Sequence, residues 1–341
     1  MRKFIEVEAR PLSTNSAPIQ GNVMKITIVS PYHGGSHKAW ADGYQQHSAH
    51  DVSLLTLPDR FWKWRMHGGG VTLARRFREN GRLPDLFLVT DMLDLTTFLA
   101  LTRSADTVGI PVVLYMHENQ LTYPLPVNKT TGPMRRQQGE RDRHYVFINY
   151  TSMLAADAVI FNSQYHLHSW FAALPAYLKH FPEYNELNSI DKLKAKSSVL
   201  PVGINFSRFE PAPPLDQDAA APPLILWNQR WEYDKNPDDF FAALTAVAAE
   251  NIPFRLALCG QRYGKRPLIF EAALTTFADQ IIHSGHANQD SYRKLLWQAD
   301  LVISTAHHEF FGISILEAIY CQTFPLLPKR LSYPELIPDR Y

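Results

Sequence analysis

The sequence is poor in several things, and each shortage removes a class of protein. Only two of its 341 residues are cysteine, Cys259 and Cys321, both in apolar surroundings and without Cys-x-x-Cys spacing. Neither a disulfide scaffold nor a cysteine zinc site is supported, and a reducing, cytoplasmic setting is expected. Charge of one sign is also lacking: 34 Lys and Arg face 33 Asp and Glu, a formal net charge of +1. No global field recruits nucleic acid or membrane, so a polyanion has to be met by a local patch. No run approaches the roughly 20 apolar residues of a membrane-crossing helix, and the N-terminus lacks the basic-then-apolar order of a secretory signal. What is present suits a folded chain. Hydrophobic residues make up 45%, which excludes wholesale disorder, and the length fits two domains of roughly 100–200 residues.

Residues 1–23 are polar and read as a disordered extension without chemistry. Strand-like runs then alternate with helical ones. The strands are expected at 25–29, 52–57, 85–90, 112–115, 158–161 and 198–200. A turn at 30–35 precedes a helix carrying Trp40 and Tyr44, and another helix is expected around 73–78. Near-continuous apolar strands alternating with helices imply a parallel sheet covered on both faces. The Pro- and Ala-rich stretch 209–223 has no hydrophobic period and few backbone donors, so it reads as a stiff linker. Alternation restarts after it, with strands at 224–227, 254–258, 281–283, 301–304 and 323–327. Helices are expected at 238–250, 266–278, 291–298 and 314–320. The fold class is therefore α/β: two doubly wound, Rossmann-like domains, 24–208 and 224–341, facing a central cleft. Ligands of such sheets bind at the strand C-termini.

Four segments carry candidate chemistry. In His307-His308-Glu309-Phe310-Phe311-Gly312-Ile313-Ser314-Ile315-Leu316-Glu317, two carboxylates lie eight positions apart, across a loop and the first turns of a helix. Gly312 would admit a ligand to free backbone N–H groups, which favour phosphate, while carboxylates suit sugar hydroxyls. The plain alternative is a helix whose acids merely offset its dipole. Arg230 and Lys235 follow the strand at 224–227 and pair a planar fork with a mobile point charge, a combination suited to a diphosphate. Gly34 and Gly35 follow the first strand, where a tight turn and a phosphate loop look alike in sequence. His117 opens a polar cluster, His117-Glu118-Asn119-Gln120, after the strand at 112–115. Adjacent His307, His308 and Glu309 cannot readily share one metal, so no metal site is expected.

Together these segments resemble the retaining GT-B glycosyltransferases that include sucrose synthase-like and mannosyl-transferring enzymes. The resemblance implies that Glu309 contacts donor-sugar hydroxyls and Glu317 the nucleotide ribose. It also implies that Arg230 and Lys235 hold the diphosphate, and that Phe311, Gly312, Ile313 and Ser314 form the loop over the donor. Gly34 and Gly35 match the family's glycine loop, and His117 matches a histidine facing donor sugar and acceptor. Residues 155–163 and 200–209 are similar to further landmarks, with Asn205 where an Asp is usual. Three strings, 31–38, 117–124 and 228–235, look like the tRNA-queuosine α-mannosyltransferase group, and the resemblance spans about 25–338. It implies mannose transfer from GDP-mannose to queuosine in the anticodon of tRNA-Asp, by front-face attack with retention. The nucleotide sugar is then a co-substrate, and no cofactor and no metal are expected. The family usually continues with helices that close the second domain, which this sequence is expected to lack.

An RNA acceptor has partial support in the residues themselves. Arg60, Lys63, Arg65, Arg75, Arg76 and Arg78 interleave with Phe61, Trp62, Trp64 and Phe77. Lys129, Arg135, Arg136, Arg141 and Arg143 form a second basic run, expected to be a loop. Cations with aromatics suit phosphates and unpaired bases; an ordinary helix surface, or an anionic lipid or saccharide acceptor, fits the same pattern. A non-catalytic RNA-binding protein on a transferase scaffold is the reading outside enzymes. No obligate protein partner is evident.

Overall fold

The computed structural model describes residues 22–124, 133–213, 220–260 and 268–337; in the helix that starts at Pro133, side chains are described from residue 143. Residues 1–21 of the expected extension, 214–219 of the expected linker, and Lys129 lie outside the described residues.

The apolar runs form two parallel sheets. The first contains β1 (Lys25–His33), β2 (Asp51–Pro58), β3 (Leu86–Thr90), β4 (Val112–Met116), β5 (Ala158–Phe161) and β6 (Ser197–Val199), in the order β2-β1-β3-β4-β5-β6. Its helices are α1 (Gly35–His47), α2 (Trp62–Asn80), α3 (Leu95–Thr102), α4 (Pro133–Ala155), α5 (Gln164–Leu178) and α6 (Ser189–Ala195). The second contains β7 (Leu224–Trp227), β8 (Arg255–Cys259), β9 (Ile281–Gly285), β10 (Leu301–Ile303) and β11 (Phe324–Leu326), in the order β11-β10-β7-β8-β9. Its helices are α7 (Pro237–Ala249), α8 (Leu268–Thr276), α9 (Gln289–Gln298), α10 (Ile313–Tyr320) and α11 (Tyr333–Leu336). The doubly wound α/β expectation holds for both sheets. Strand order reverses between β1 and β3 in one sheet and between β7 and β10 in the other, and the C-terminal ends of such strands are where ligands gather.

Alternation along β1 shows how the sheet is covered. Ile26 and Ile28 face Trp40 and Ala41 of α1, while Val29 faces the cluster of Leu73, Phe77, Phe98, Tyr150 and Trp170 from α2, α3, α4 and α5. Successive Cβ atoms point to opposite faces, so a strand buried on both sides has to be apolar throughout. Phe311, from the second half of the chain, joins the α1 side of this core beside Tyr115 and Val202.

Four sequence expectations need correction. The expected turn at 30–35 is mostly strand: β1 continues to His33, opposite Pro58 of β2, and an irregularity between Ser30 and His33 accommodates Pro31. The basic run expected as a loop lies on α4, so Arg135, Arg136, Arg141 and Arg143 are helical. Tyr145, Ile148 and Val146, Tyr150, Met153 bury an apolar stripe from that helix, and the charged stretch before them, rich in good helix formers, extends it. The helix expected at 73–78 starts at Trp62 and runs through Gly68, Gly69 and Gly70. Phe77, expected among exposed aromatics, is core: its ring lies 5.2 Å from Phe87 and 6.2 Å from Phe98.

The three glycines explain why α2 resists detection in sequence. Each disfavours helix by roughly 0.5–1 kcal/mol relative to alanine, yet each permits a close approach. An added Cβ would lie 2.9 Å from the Trp64 ring at Gly68, 2.7 Å from Pro31 at Gly69 and 2.9 Å from the Asp94 carbonyl oxygen at Gly70. Backbone cannot yield as a side chain does. Gly70→Ala is therefore expected to destabilise the fold by about 1–3 kcal/mol despite alanine's helix preference, and urea denaturation of the purified variant checks this.

Candidate active site

The loops after β7 and β10 are fastened to each other around one buried cation. Lys235 is 6% exposed; its Nζ donates to the His308 carbonyl at 2.8 Å and to Glu309 Oε2 at 3.2 Å, and stands 3.2 Å from Asp234 Oδ2. Two of the ammonium's three donors are thus hydrogen-bonded to protein oxygens, while Asp234 faces it at ion-pair distance without a hydrogen bond. The Asp234 carbonyl accepts from the His307 and His308 amides, at 2.8 and 3.2 Å. The Thr305 hydroxyl donates to the carbonyls of Lys235 and Asn236, at 3.1 and 2.7 Å. Burial alone would lower the Lys235 ammonium, but Glu309 and Asp234 outweigh it and hold its pKa above the ordinary value. For Glu309 burial pushes up, while Lys235 and the Phe311 amide pull harder, so its carboxyl sits below the usual range.

Gly312 has φ 99° and stands at the start of α10 with no side-chain cap, its α-carbon facing Leu336 and Tyr333. The Ile315 and Leu316 amides bond back to the Gly312 carbonyl, while Ile313 and Ser314 form the open first turn. Glu309 lies in the loop and Glu317 within α10, as the sequence reading has it. Glu317 is buried, with one oxygen on the Arg208 guanidinium and the other accepting from the Tyr292 hydroxyl at 2.8 Å. Burial outweighs Arg208 and leaves its pKa raised.

Arg230, after β7, is half-exposed at the rim. Its guanidinium stands 3.2 Å from Glu232 Oε2 and 3.8 Å from Asp234 Oδ2, and donates across to the Tyr123 hydroxyl at 3.2 Å. Tyr233 donates from its hydroxyl to the Pro124 carbonyl at 2.6 Å, and the Tyr123 ring lies 4.5 Å from His308. The segment at 117–124 thus meets both loops of the second half. Phe310 stacks 3.8 Å from His166 in α5, and Glu335 of α11 accepts from the first two amides of α5. An acid at a helix start is favourably placed against the helix dipole.

His117 stands where the sequence reading puts it, at the end of β4. Its amide donates to Asp91 Oδ1 at 2.9 Å, its carbonyl accepts from Asn162, and its ring lies 4.5 Å from His37 and 4.7 Å from Trp40. Gly34 caps α1 and Gly35 opens it; Gly35 is left-handed, and a Cβ on Gly34 would collide with the Asp59 side chain. Burial leads the lowering of His37 to about 4, of His308 to about 4, and of His117 and His166 well below the ordinary value. Burial, then Glu118, raises Asp91.

The structure therefore brings His117, Arg230, Lys235, Glu309 and Gly312 to one interface between the sheets, with Gly34, Gly35, Ile313, Ser314 and Glu317 around it. Sequence reasoning names Glu118 only as part of the polar cluster at 117–120, gives Tyr123, Asp234 and Arg208 no role of their own within the segments it names, and overlooks Asp91, whose place directly after β3 is a readable signal. Buried polar atoms without a protein partner cluster here as well: Asp91 Oδ2, His117 Nε2, His37 Nδ1, Asn228 Oδ1 and both side-chain polar atoms of Gln229. Such atoms are rare in folded proteins. Among the described residues no group of three or more His, Cys, Asp or Glu is arranged to hold a metal ion.

The expected basic patch divides in two. Arg60, Lys63 and Arg65 lie at the start of α2, while Arg75 and Arg76 lie about 16 Å further along it at 1.5 Å per residue. Arg75 pairs with Glu79 at 2.7 Å, and Arg76 donates to the Thr56 carbonyl. Arg143 lines a cavity of about 290 Å³ with His144, Phe147, Tyr177, His180 and Phe181. The side chains of Arg135, Arg136 and Arg141 lie outside the described residues.

Residues 25–204 match the family described as tRNA-queuosine alpha-mannosyltransferase N-terminal, and residues 217–341 match glycosyl transferases group 1. A tRNA-queuosine alpha-mannosyltransferase of Drosophila melanogaster is 32% identical over 323 residues, 92% of this chain and 81% of that one. The chain belongs to the tRNA-queuosine alpha-mannosyltransferase family. It is a glycosyltransferase, and its two facing sheets are the GT-B architecture. The catalytic domain of Arabidopsis thaliana starch synthase IV superposes with a TM-score of 0.68 at 12% identity, covering 93% of this chain and 85% of that one. Sucrose-phosphate synthase from Thermosynechococcus elongatus gives 0.62 at 15%, covering 92% and 84%. Anabaena HepE in complex with UDP gives 0.59 at 16%, covering 92% and 83%. No helix among the described residues of this family member is long and apolar enough to cross a membrane.

Two outcomes follow from the electrostatics of this glycosyltransferase. Lys235→Ala strands Asp234 and Glu309 in a buried site and is expected to cost about 3–5 kcal/mol of stability, read by chemical denaturation. His37 and His308 are neutral when folded but protonate near 6.5 when unfolded. The unfolded chain then binds more protons between about pH 6.5 and 4, so stability falls as pH falls through that window. His37→Gln is expected to flatten the slope of denaturation midpoint against pH there.

Proposed function

We propose that this chain transfers mannose from GDP-mannose to queuosine in the anticodon of tRNA-Asp, in the cytoplasm, with retention at the anomeric carbon. The observation that carries the reading is the 32% identity to the Drosophila enzyme across 92% of the chain, because it covers both halves of the cleft. In this reading the bond from the anomeric carbon to the diphosphate oxygen breaks, and the queuosine hydroxyl oxygen bonds to that carbon on the same face. The hydroxyl proton passes to the departing diphosphate oxygen. Arg230 has N–H donors beyond its contacts to Tyr123, Glu232 and Asp234 and offsets charge on the leaving group, with Lys235 adding field from behind. Glu309, held ionised by Lys235, accepts from sugar hydroxyls, and Glu317 does so from ribose. The Ile313 and Ser314 amides at α10 face the diphosphate, with Gly34 and Gly35 opposite, and His117, held neutral by burial, positions the acceptor hydroxyl. No cofactor or metal enters this scheme.

A GT-B enzyme acting on a lipid or saccharide is the second reading. A GDP-mannose:cellobiosyl-diphosphopolyprenol alpha-mannosyltransferase of Xanthomonas oryzae pv. oryzae (strain PXO99A) is 27% identical over 105 residues, 30% of this chain and 28% of that one. Labelled GDP-mannose offered with queuosine-containing tRNA, with tRNA lacking queuosine, and with a polyprenyl diphosphate sugar separates the two. Label is expected only in the first, and label only in the lipid overturns the proposal. Arg230→Ala is expected to lower kcat by about 100-fold, the scale for removing one charge-stabilising donor. Turnover is expected to survive EDTA.

A further inference from the structure

The start of α2 exposes two large rings. Phe61, 79% exposed, caps the helix at φ 54°, and Trp64, 64% exposed, sits in its first turn. A bulky residue rarely adopts positive φ, and such strain is found where the surroundings impose it for use. Trp64 is also held in place: a Cβ on Gly68 would lie 2.9 Å from its indole, so the ring rests along the helix over the glycine one turn on. The neighbouring glycines contact Pro31 and the Asp94 carbonyl, which leaves Gly68 as the one whose close approach serves an exposed ring. The segment Arg60-Phe61-Trp62-Lys63-Trp64-Arg65-Met66-His67 holds three cations and no acid, in a chain whose net charge is only +1.

The patch is fixed to the rim of the active site. Asp59 packs on Gly34, and the Arg60 amide and Arg65 Nε both donate to the Pro58 carbonyl, at 2.9 and 3.1 Å. Trp62 packs 5.3 Å from Tyr145, in a cluster with Met66, Met92 and Tyr32, and Tyr32 lies 5.9 Å from His37, which touches His117. Rings interleaved with cations, held rigid beside the acceptor side of the cleft, suit single-stranded RNA, where bases stack on aromatic faces and phosphates meet the charges.

We propose that Trp64, pre-set by Gly68, and Phe61 form a stacking platform for unpaired nucleobases next to the one being modified, with Arg60, Lys63 and Arg65 on the flanking phosphates. This inference rests on the RNA acceptor proposed above. It assigns the platform to affinity and leaves chemistry to the cleft.

The test measures binding and turnover with an anticodon stem-loop RNA carrying queuosine. Trp64→Ala is expected to raise Kd and KM for this RNA by roughly 5- to 100-fold, the range for losing one stacking ring, with kcat at saturating RNA, donor KM and the thermal midpoint unchanged. Trp64→Phe is expected to restore most of the loss. Gly68→Ala, which displaces the indole while improving helix propensity, is expected to weaken RNA binding with an unchanged or higher thermal midpoint. Wild-type activity on the RNA with Trp64→Ala within twofold in Kd and KM overturns the platform and leaves the proposed function standing. Wild-type inactivity on every RNA overturns both.

Discussion

A primary ammonium buried away from water is tolerable only where acids and carbonyls surround it, and Lys235 imposes that constraint on the whole second half of the cleft. Asp234, Glu309 and the His308 carbonyl meet the requirement together. In doing so they lock the loop after β7 to the loop after β10, at the place where the strand order reverses. The same contacts keep Glu309 ionised and fix where Gly312 and α10 begin. The presented carboxylate, the open helix start and the nearby guanidinium of Arg230 thus depend on one buried charge and its partners.

The two sheets meet through rings and a few polar contacts rather than through an extensive ladder. Phe310 on His166, Phe311 against Trp40 and Tyr115, and Tyr123 on His308 bring the β10 loop onto the first half. This is why four histidines near the cleft are neutral: apolar rings that exclude water make the charged imidazole expensive. The same exclusion strengthens every charge that remains, which is what a leaving diphosphate requires. Affinity for the acceptor can then reside elsewhere, on the exposed start of α2, without altering the electrostatics of the cleft.

Much of the fold was legible because period and burial coincide. Strands such as β3, β4 and β7 are continuous apolar runs, and a strand buried on both faces has no alternative pattern. The carboxylate spacing between Glu309 and Glu317 was legible because a loop and a helix start keep sequence neighbours close. The helix α2 was foreshortened because Gly68, Gly69 and Gly70 look like a break, and only the closeness of Trp64, Pro31 and Asp94 shows why they are helical. The helical course of α4 was hidden because its charged first half has no apolar face of its own.

By itself the sequence determined the two doubly wound sheets, the residue types at their strand ends and the order in which those ends arise. Tertiary structure alone decided which of them meet. Asp91 comes under His117, Arg208 and Tyr292 close over Glu317, and Tyr123 reaches Arg230, all across separations of 25 residues or more. Periodicity reports only on near neighbours, whereas pairing between buried charges is set by distance and exclusion of water, and these exist only once the two halves have closed on each other.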